Sequence, residues 1–303
     1  MVKLVCIIII VGASMLSPCS ANATTLAHLY EVSVPVFTQS AEERKQAIHQ
    51  AFAELLVRVT GKRDVLSLKS GQTLLKKSRR YVRSFRYEIL PPPMVFEKDE
   101  PSDAEAPVLP AAEINEPVPV APAPEPGQKI VVFFDEIAVK NSLWKQALPV
   151  WGKTRPSTLL WVAIQDGDGR KMLDIAKPTA ISEKIKLESE KRGVPFVYPK
   201  LDLRDQAEIN ISDVWGTYEE PVKNASARYK TEAVISARFS FDPAQGWETY
   251  WRLHQGIEET HWRVTEADLN VVIAESIDKL ASVLADRYAQ ISIASGADRF
   301  IIR

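Results

Sequence analysis

The sequence predicts a mixed α/β fold: a small β-α-α-β unit, then a larger mixed sheet covered by helices. Three observations predict it. Residues 29–37 and the pair 247–254 and 257–264 alternate apolar and polar side chains, as half-buried strands do. Residues 41–60 and 266–292 repeat apolar side chains at helical spacing. Between them, the unbroken apolar runs 129–134 and 158–164 alternate with helical text, the mark of strands covered on both faces. The composition, 46% hydrophobic and 25% charged, is that of an ordinary globular chain.

The first element is a leader. Met1–Lys3 is short and basic, Leu4–Leu16 is almost wholly apolar, and Ser17–Pro18 breaks any helix. Ala21 and Ala23 stand at the two positions a signal peptidase reads, so residues 1–23 are expected to be a secretory signal. The apolar run is about 13 residues, short of the roughly 20 that span a bilayer, so no transmembrane helix is expected in the mature chain. Leu16–Cys19 offers the alternative of an outer-membrane lipoprotein, but proline fits poorly before the acylated cysteine. Both cysteines, Cys6 and Cys19, lie in the leader. A mature chain without cysteine has no disulfide and no thiolate metal site, which suits the periplasm of a Gram-negative bacterium.

Three segments follow, sorted by charge. Residues 24–90 carry 12 Lys/Arg against 6 Asp/Glu. In this small basic domain, Leu29–Phe37 is a strand whose Pro35 indicates a sheet edge or the strand's end. Ser40 and Glu43 form a capping-box pattern, and Gly61 stands where a helix cap belongs. A second helix over 71–80 and a strand from Tyr81 to Ile89 complete it. Residues 91–127 carry 1 basic against 8 acidic residues and hold 11 of the 20 prolines, so they are expected to be a disordered linker.

Residues 128–303 carry 24 basic against 25 acidic residues and form the larger domain. It opens on the central strand Lys129–Phe134, followed by a helix over 141–150 and a strand over 158–164. A helix over 182–192, a short strand at 195–198, helices over 205–215 and 219–229 and a strand over 232–241 come next. A hairpin about Gln255–Gly256 and a long helix over 266–292 close the chain.

Leu29–Val36, the helix ending Leu55–Gly61 (LVRVTG from Leu56), Gly193–Pro199 and Asp213–Gly216 together resemble the bacterial family known as domain of unknown function 2066. The resemblance implies an exported gammaproteobacterial protein of unknown activity and carries over no catalytic residue. The second domain is also similar to the α/β domains of periplasmic envelope proteins such as the amino-terminal domain of TolB, on residues 227–236. That likeness implies partner binding rather than chemistry.

The candidates for chemistry are few. Asp166–Gly169 fails as a calcium loop, because position five is Arg170 and position twelve is Lys177; it reads as a turn. His254 and His261 are expected to face each other across the hairpin, with only Glu258 and Glu259 as further ligands; this reads as an exposed sheet face. No nucleophile elbow, zinc-protease, phosphate-loop or dinucleotide motif is present. All seven tryptophans lie beyond residue 127; Trp247, Trp251 and Trp262 of the hairpin read as a buried sheet face, and Trp215 beside Gly216 reads as surface. Lys76, Lys77, Arg79, Arg80, Arg83 and Arg86 form the densest basic run.

No cofactor and no metal are expected. Lys76, Lys77, Arg79, Arg80 and Trp215 are the candidate interaction surface, with an envelope protein or peptidoglycan as partner and no role for nucleic acid. The function expected is that of an exported, non-enzymatic envelope accessory or adaptor. The alternatives are a hydrolase acting on cell-wall glycan or peptide and an outer-membrane lipoprotein factor.

Overall fold

The computed structural model describes residues 23–90, 127–166 and 169–290. Ala21, Cys19 and the segment 91–126 lie outside the described residues; Ala23 opens the described chain and is exposed. The class is mixed α/β, with helices packed on three sheets.

The chain begins with β1 (Thr24–Thr25), β2 (Glu31–Val36), α1 (Ala41–Thr60), α2 (Lys69–Leu75) and β3 (Val82–Ile89). Ser40 starts α1 by accepting the Glu43 N–H at 3.2 Å. The Glu43 carboxylate does not return to Ser40 as a capping box requires. It accepts the N–H groups of Phe37 at 2.6 Å and Thr38 at 2.7 Å, lashing the end of β2 to the helix. At the other end Gly61 takes φ 76° and its N–H closes on the Val57 carbonyl at 2.8 Å. A Cβ there would stand 2.1 Å from the Ala285 Cβ, so only glycine fits. Ala51, Phe52, Leu55, Leu56 and Val59 line the buried face of α1. Each large side chain there contributes roughly 1.5–3 kcal/mol by leaving water. The second helix is shorter than its text suggests. Buried Ser78 and Tyr81 follow the three-residue repeat of a 3-10 turn, which replaces its last part.

Next come β4 (Gln128–Phe134) and α3 (Glu136–Lys145). Here the structure corrects an expectation: β4 is a central strand, but of the first sheet, in the order β2-β4-β3 with both neighbours antiparallel. Ile130 and Val132 join the core under α1 while Val131, on the opposite face, is also buried. Such a strand needs a neighbour on each side, and β2 and β3 supply them; β2, with Pro35, is an edge. Segment 91–126 therefore joins two adjacent strands of one hairpin, and the Leu90 N–H meets the Gly127 carbonyl at 3.0 Å. Helix α3 starts earlier than expected because Asp135 accepts the Ala138 N–H at 2.9 Å.

The remaining elements are β5 (Thr154–Arg155), β6 (Thr158–Asp166), β7 (Gly169–Met172), α4 (Ala180–Arg192), β8 (Phe196–Val197), α5 (Leu203–Glu208), α6 (Ile211–Trp215), α7 (Glu219–Ser226), β9 (Ala233–Asp242), β10 (Gly246–Gln255), β11 (Glu258–Glu266) and α8 (Leu269–Tyr288). The large sheet runs β11-β10-β9-β6-β7, with β8 also on β6; β6 is parallel to β8 and β9, and the other pairs are antiparallel. Asp166 pairs with Gly169, and the two residues between them, where a turn is expected, lie outside the described residues. The expected helix over 205–215 is two helices, because Asn210 accepts the Ser212 and Asp213 N–H groups and starts a new one. Helices α4 and α8 cover one face of the sheet, around Trp251, Leu253 and Trp262. On the other face, α5 to α7 cover β6 and β9 around Trp161, Val214 and Val222. There, β10 and β11 carry half-exposed or exposed Tyr250, Arg252, His261 and Arg263.

Three buried arginines join the two sheets. Arg155 is fully buried, lies 3.5 Å over the Trp151 ring, and donates to the carbonyls of Arg58 at 2.9 Å and Trp151 at 3.0 Å. Arg192 donates to the Gly61 carbonyl at 2.9 Å and pairs with Asp278 at 2.9 Å. Arg58 donates to the carbonyls of Glu31 at 2.8 Å and Lys191 at 2.9 Å. Arg155 and Arg192 thus sit at the carbonyl end of α1, where the helix dipole is negative. Burial, with Arg58 beside it, pushes Arg155 down to about 9. Burial, opposed by Asp278, pushes Arg192 down to about 10, so both stay charged at neutral pH.

Candidate functional site

The basic run forms a platform on the small unit. Leu74, Leu75, Ser78 and Tyr81 turn inward, which leaves Lys76, Lys77, Arg79, Arg80 and Arg83 exposed. Tyr81 stacks on Phe52 with ring centroids 4.7 Å apart, so the platform rests on a packed core. Among the described residues none of these five has a carboxylate within ion-pair distance. Arg86, from the same run, differs: it pairs with Glu88 at 2.6 Å and Glu31 at 3.7 Å and stacks over Phe133. These are long-range charges on a fixed backbone, free to meet an external anion.

Trp215 is half-buried at the end of α6, packed against the core under α5 to α7 and covered by Arg170 at 4.3 Å, with Arg238 at 5.9 Å. It therefore presents an occupied ring face rather than an open one, and it belongs to a different sheet from the basic platform. Asp213 and Arg228, from the neighbouring helical segments, have partners of their own. Asp213 accepts the Asn210 N–H at 2.9 Å to close the start of α6. Arg228 binds Asp202 at 2.7 Å and Asp205 at 2.8 Å, and its guanidinium holds the Asp202 carboxyl well below the usual range. The other tryptophans pack in or against the cores: Trp151, Trp161 and Trp251 are almost fully enclosed.

The hairpin register departs from the expected histidine pair. The turn is Gly256–Ile257, so His261 stands opposite Arg252 and His254 stands opposite Glu259. His254 is 3% exposed, and its Nδ1 lies 2.8 Å from Glu259 Oε1 but out of line for a hydrogen bond; neither ring nitrogen has an aligned partner. Glu219, at the start of α7, brings a second carboxylate, and the ligand atoms of Glu219, His254 and Glu259 all lie within 4.8 Å of one another. Glu219 comes from a helix that spacing along the hairpin could not indicate. Burial lowers the His254 pKa below the ordinary imidazole range against the opposing pull of Glu259, which favours the neutral ring.

Residues 23–152 match a family described as a domain of unknown function (DUF8605). This overturns the resemblance to domain of unknown function 2066. The stretch Leu55–Gly61 that carried it is a buried helix end with a left-handed glycine cap, text that recurs wherever such an end must pack. The match runs from β1 past α3 and so takes in β4. No curated protein matches the chain. Among the described residues no helix is long and apolar enough to cross a membrane.

Proposed function

We propose that the chain is exported and serves in a bacterial envelope as a non-enzymatic accessory protein, docking through Lys76, Lys77, Arg79, Arg80 and Arg83. The observation that carries this reading is the platform itself: five exposed cations between residues 76 and 83 without a carboxylate partner among the described residues. Its partner is an anionic envelope component, peptidoglycan or an acidic protein. Each Lys or Arg near an anionic surface contributes about 1 kcal/mol, so five give about 5 kcal/mol. Alone, that corresponds to a Kd of about 0.2 mM, a weak and salt-sensitive dock suited to a repetitive surface. The leader pattern of residues 1–23 supports the location.

The test has two readings. Mass spectrometry of the mature protein is expected to find Thr24 at its amino terminus; an intact Met1 or an acylated Cys19 would sink the proposed export route. Co-sedimentation with purified peptidoglycan and pull-down from envelope extract are expected to retain the chain at low salt. The pair Lys76→Glu and Arg80→Glu should weaken retention at least about 30-fold, from the removal of two contacts. Equal retention of variant and parent would refute the docking site.

A further inference from the structure

We infer that Glu219, His254 and Glu259 form a binding site for one divalent transition cation, with zinc as the best match. The inference is independent of the cationic platform, which lies on the other sheet. Strand β10 places His254 on the sheet face away from α8, and β11 sets Glu259 directly opposite it. Directly opposed residues hold their Cβ atoms about 4.5–5.5 Å apart, a span that one ion can bridge. Helix α7 then brings Glu219 over the pair, so three ligands from three elements meet.

The imidazole points to a ligand. It is almost fully enclosed, and neither nitrogen makes an aligned hydrogen bond. A buried polar group left bare has lost its water without replacement, and coordination would offset that loss. An imidazole with two carboxylates is a nitrogen–oxygen set that zinc accepts, whereas calcium and magnesium select oxygen alone. Three protein ligands leave one position of a tetrahedral ion open to water.

Bonds of about 2.0–2.2 Å put tetrahedral ligand atoms about 3.3 Å apart. The widest separation in the group must therefore close by up to about 1.5 Å, while His254 Nδ1 and Glu259 Oε1, now 2.8 Å apart, must open slightly. The two glutamates can supply this movement, because the Glu219 and Glu259 side chains are each partly exposed. Two cations stand in the way. Lys223 forms an ion pair with Glu219, and Arg252 lies 3.8 Å from Glu259. Zinc binding requires Glu219 to exchange the Lys223 ammonium for the metal, and this competition distinguishes the site from adventitious uptake elsewhere.

The experiment is calorimetric titration of zinc into the full mature chain, previously freed of metal by a chelator, with calcium as the control. One zinc per chain is expected, and no calcium. Glu219→Gln and Glu259→Gln should each weaken zinc at least about 10-fold, and His254→Ala should abolish uptake. Lys223→Met should tighten it, because the competing ammonium is gone. Circular dichroism and melting curves establish that each variant is folded, and the two glutamine variants carry the test should His254→Ala fail to fold. No zinc uptake by the folded parent, uptake indifferent to both glutamine changes, or weaker binding in Lys223→Met would each overturn the site.

Discussion

Arg155 and Arg192 show how much of this molecule rests on single side chains that local patterning does not reveal. Each is a charge held away from water, and each is solvated by carbonyls of α1 or its cap. Removing Arg192 takes the charged donor from the Val57 carbonyl, which keeps the Gly61 N–H, and from the Gly61 carbonyl, which keeps only the Ser282 hydroxyl at 3.5 Å. Among the described residues it leaves Asp278 paired with exposed Arg63 alone. Arg192→Ala should therefore cost about 3 kcal/mol, seen as a lower urea midpoint with an unchanged slope. Arg155→Lys should fail to restore stability, because an ammonium cannot make the fork of bonds or lie flat on Trp151. Full stability in either variant would show that the junction is held by packing alone. Sequence reading missed all three junction arginines, since a basic residue at the end of a helix reads as solvated. It also missed Glu219, whose meeting with His254 is a tertiary event. The basic run and the buried tryptophans of the hairpin were legible, because clustering and parity are local properties, whereas enclosed Trp151 and Trp161 carried no such mark.

Among the elements, the hairpin of β3 and β4 was the hardest to foresee. Apolar text identified β4 as a central strand, yet nothing local says which sheet a strand completes. The proline-rich composition between the two strands suggested a bridge between domains, but Leu90 and Gly127, the residues that flank it, meet at one end of a single strand pair. Replacing that segment with a turn of about four residues should leave the sheet intact. Shortening the loop about ninefold should also raise stability by up to about 2 kcal/mol, through lower closure entropy. A thermal melt measures this directly, and collapse of the near-ultraviolet spectrum would show that the segment is required. The β10–β11 pair was legible from alternation, with its buried face correctly read as Trp247, Trp251, Leu253 and Trp262. Its register was not, because a hairpin's pairing is set by its turn, and moving the turn by one residue changes every partner.

Across the whole molecule, the junction ties the fate of one sheet to the other. β1 pairs with β5, and the three arginines reach across from α1 to α4 and β5. Unfolding the small unit alone would take the Arg58 carbonyl from Arg155 and the Val57 and Gly61 carbonyls from Arg192. The chain is therefore expected to melt in one calorimetric transition, with equal calorimetric and van't Hoff enthalpies. Two resolved transitions would show that the units are energetically separate. The topology of the large sheet has a further consequence, for the route by which the chain reaches this state. Strands β9, β10 and β11 follow one another through short turns, whereas β6 and β9 pair Thr158 with Ala233 across four helices. Bringing distant segments together is slow compared with zipping a meander. The middle of the large sheet is thus expected to set after its meander, together with the other distant pairings of the chain, β2 with β4 and β1 with β5.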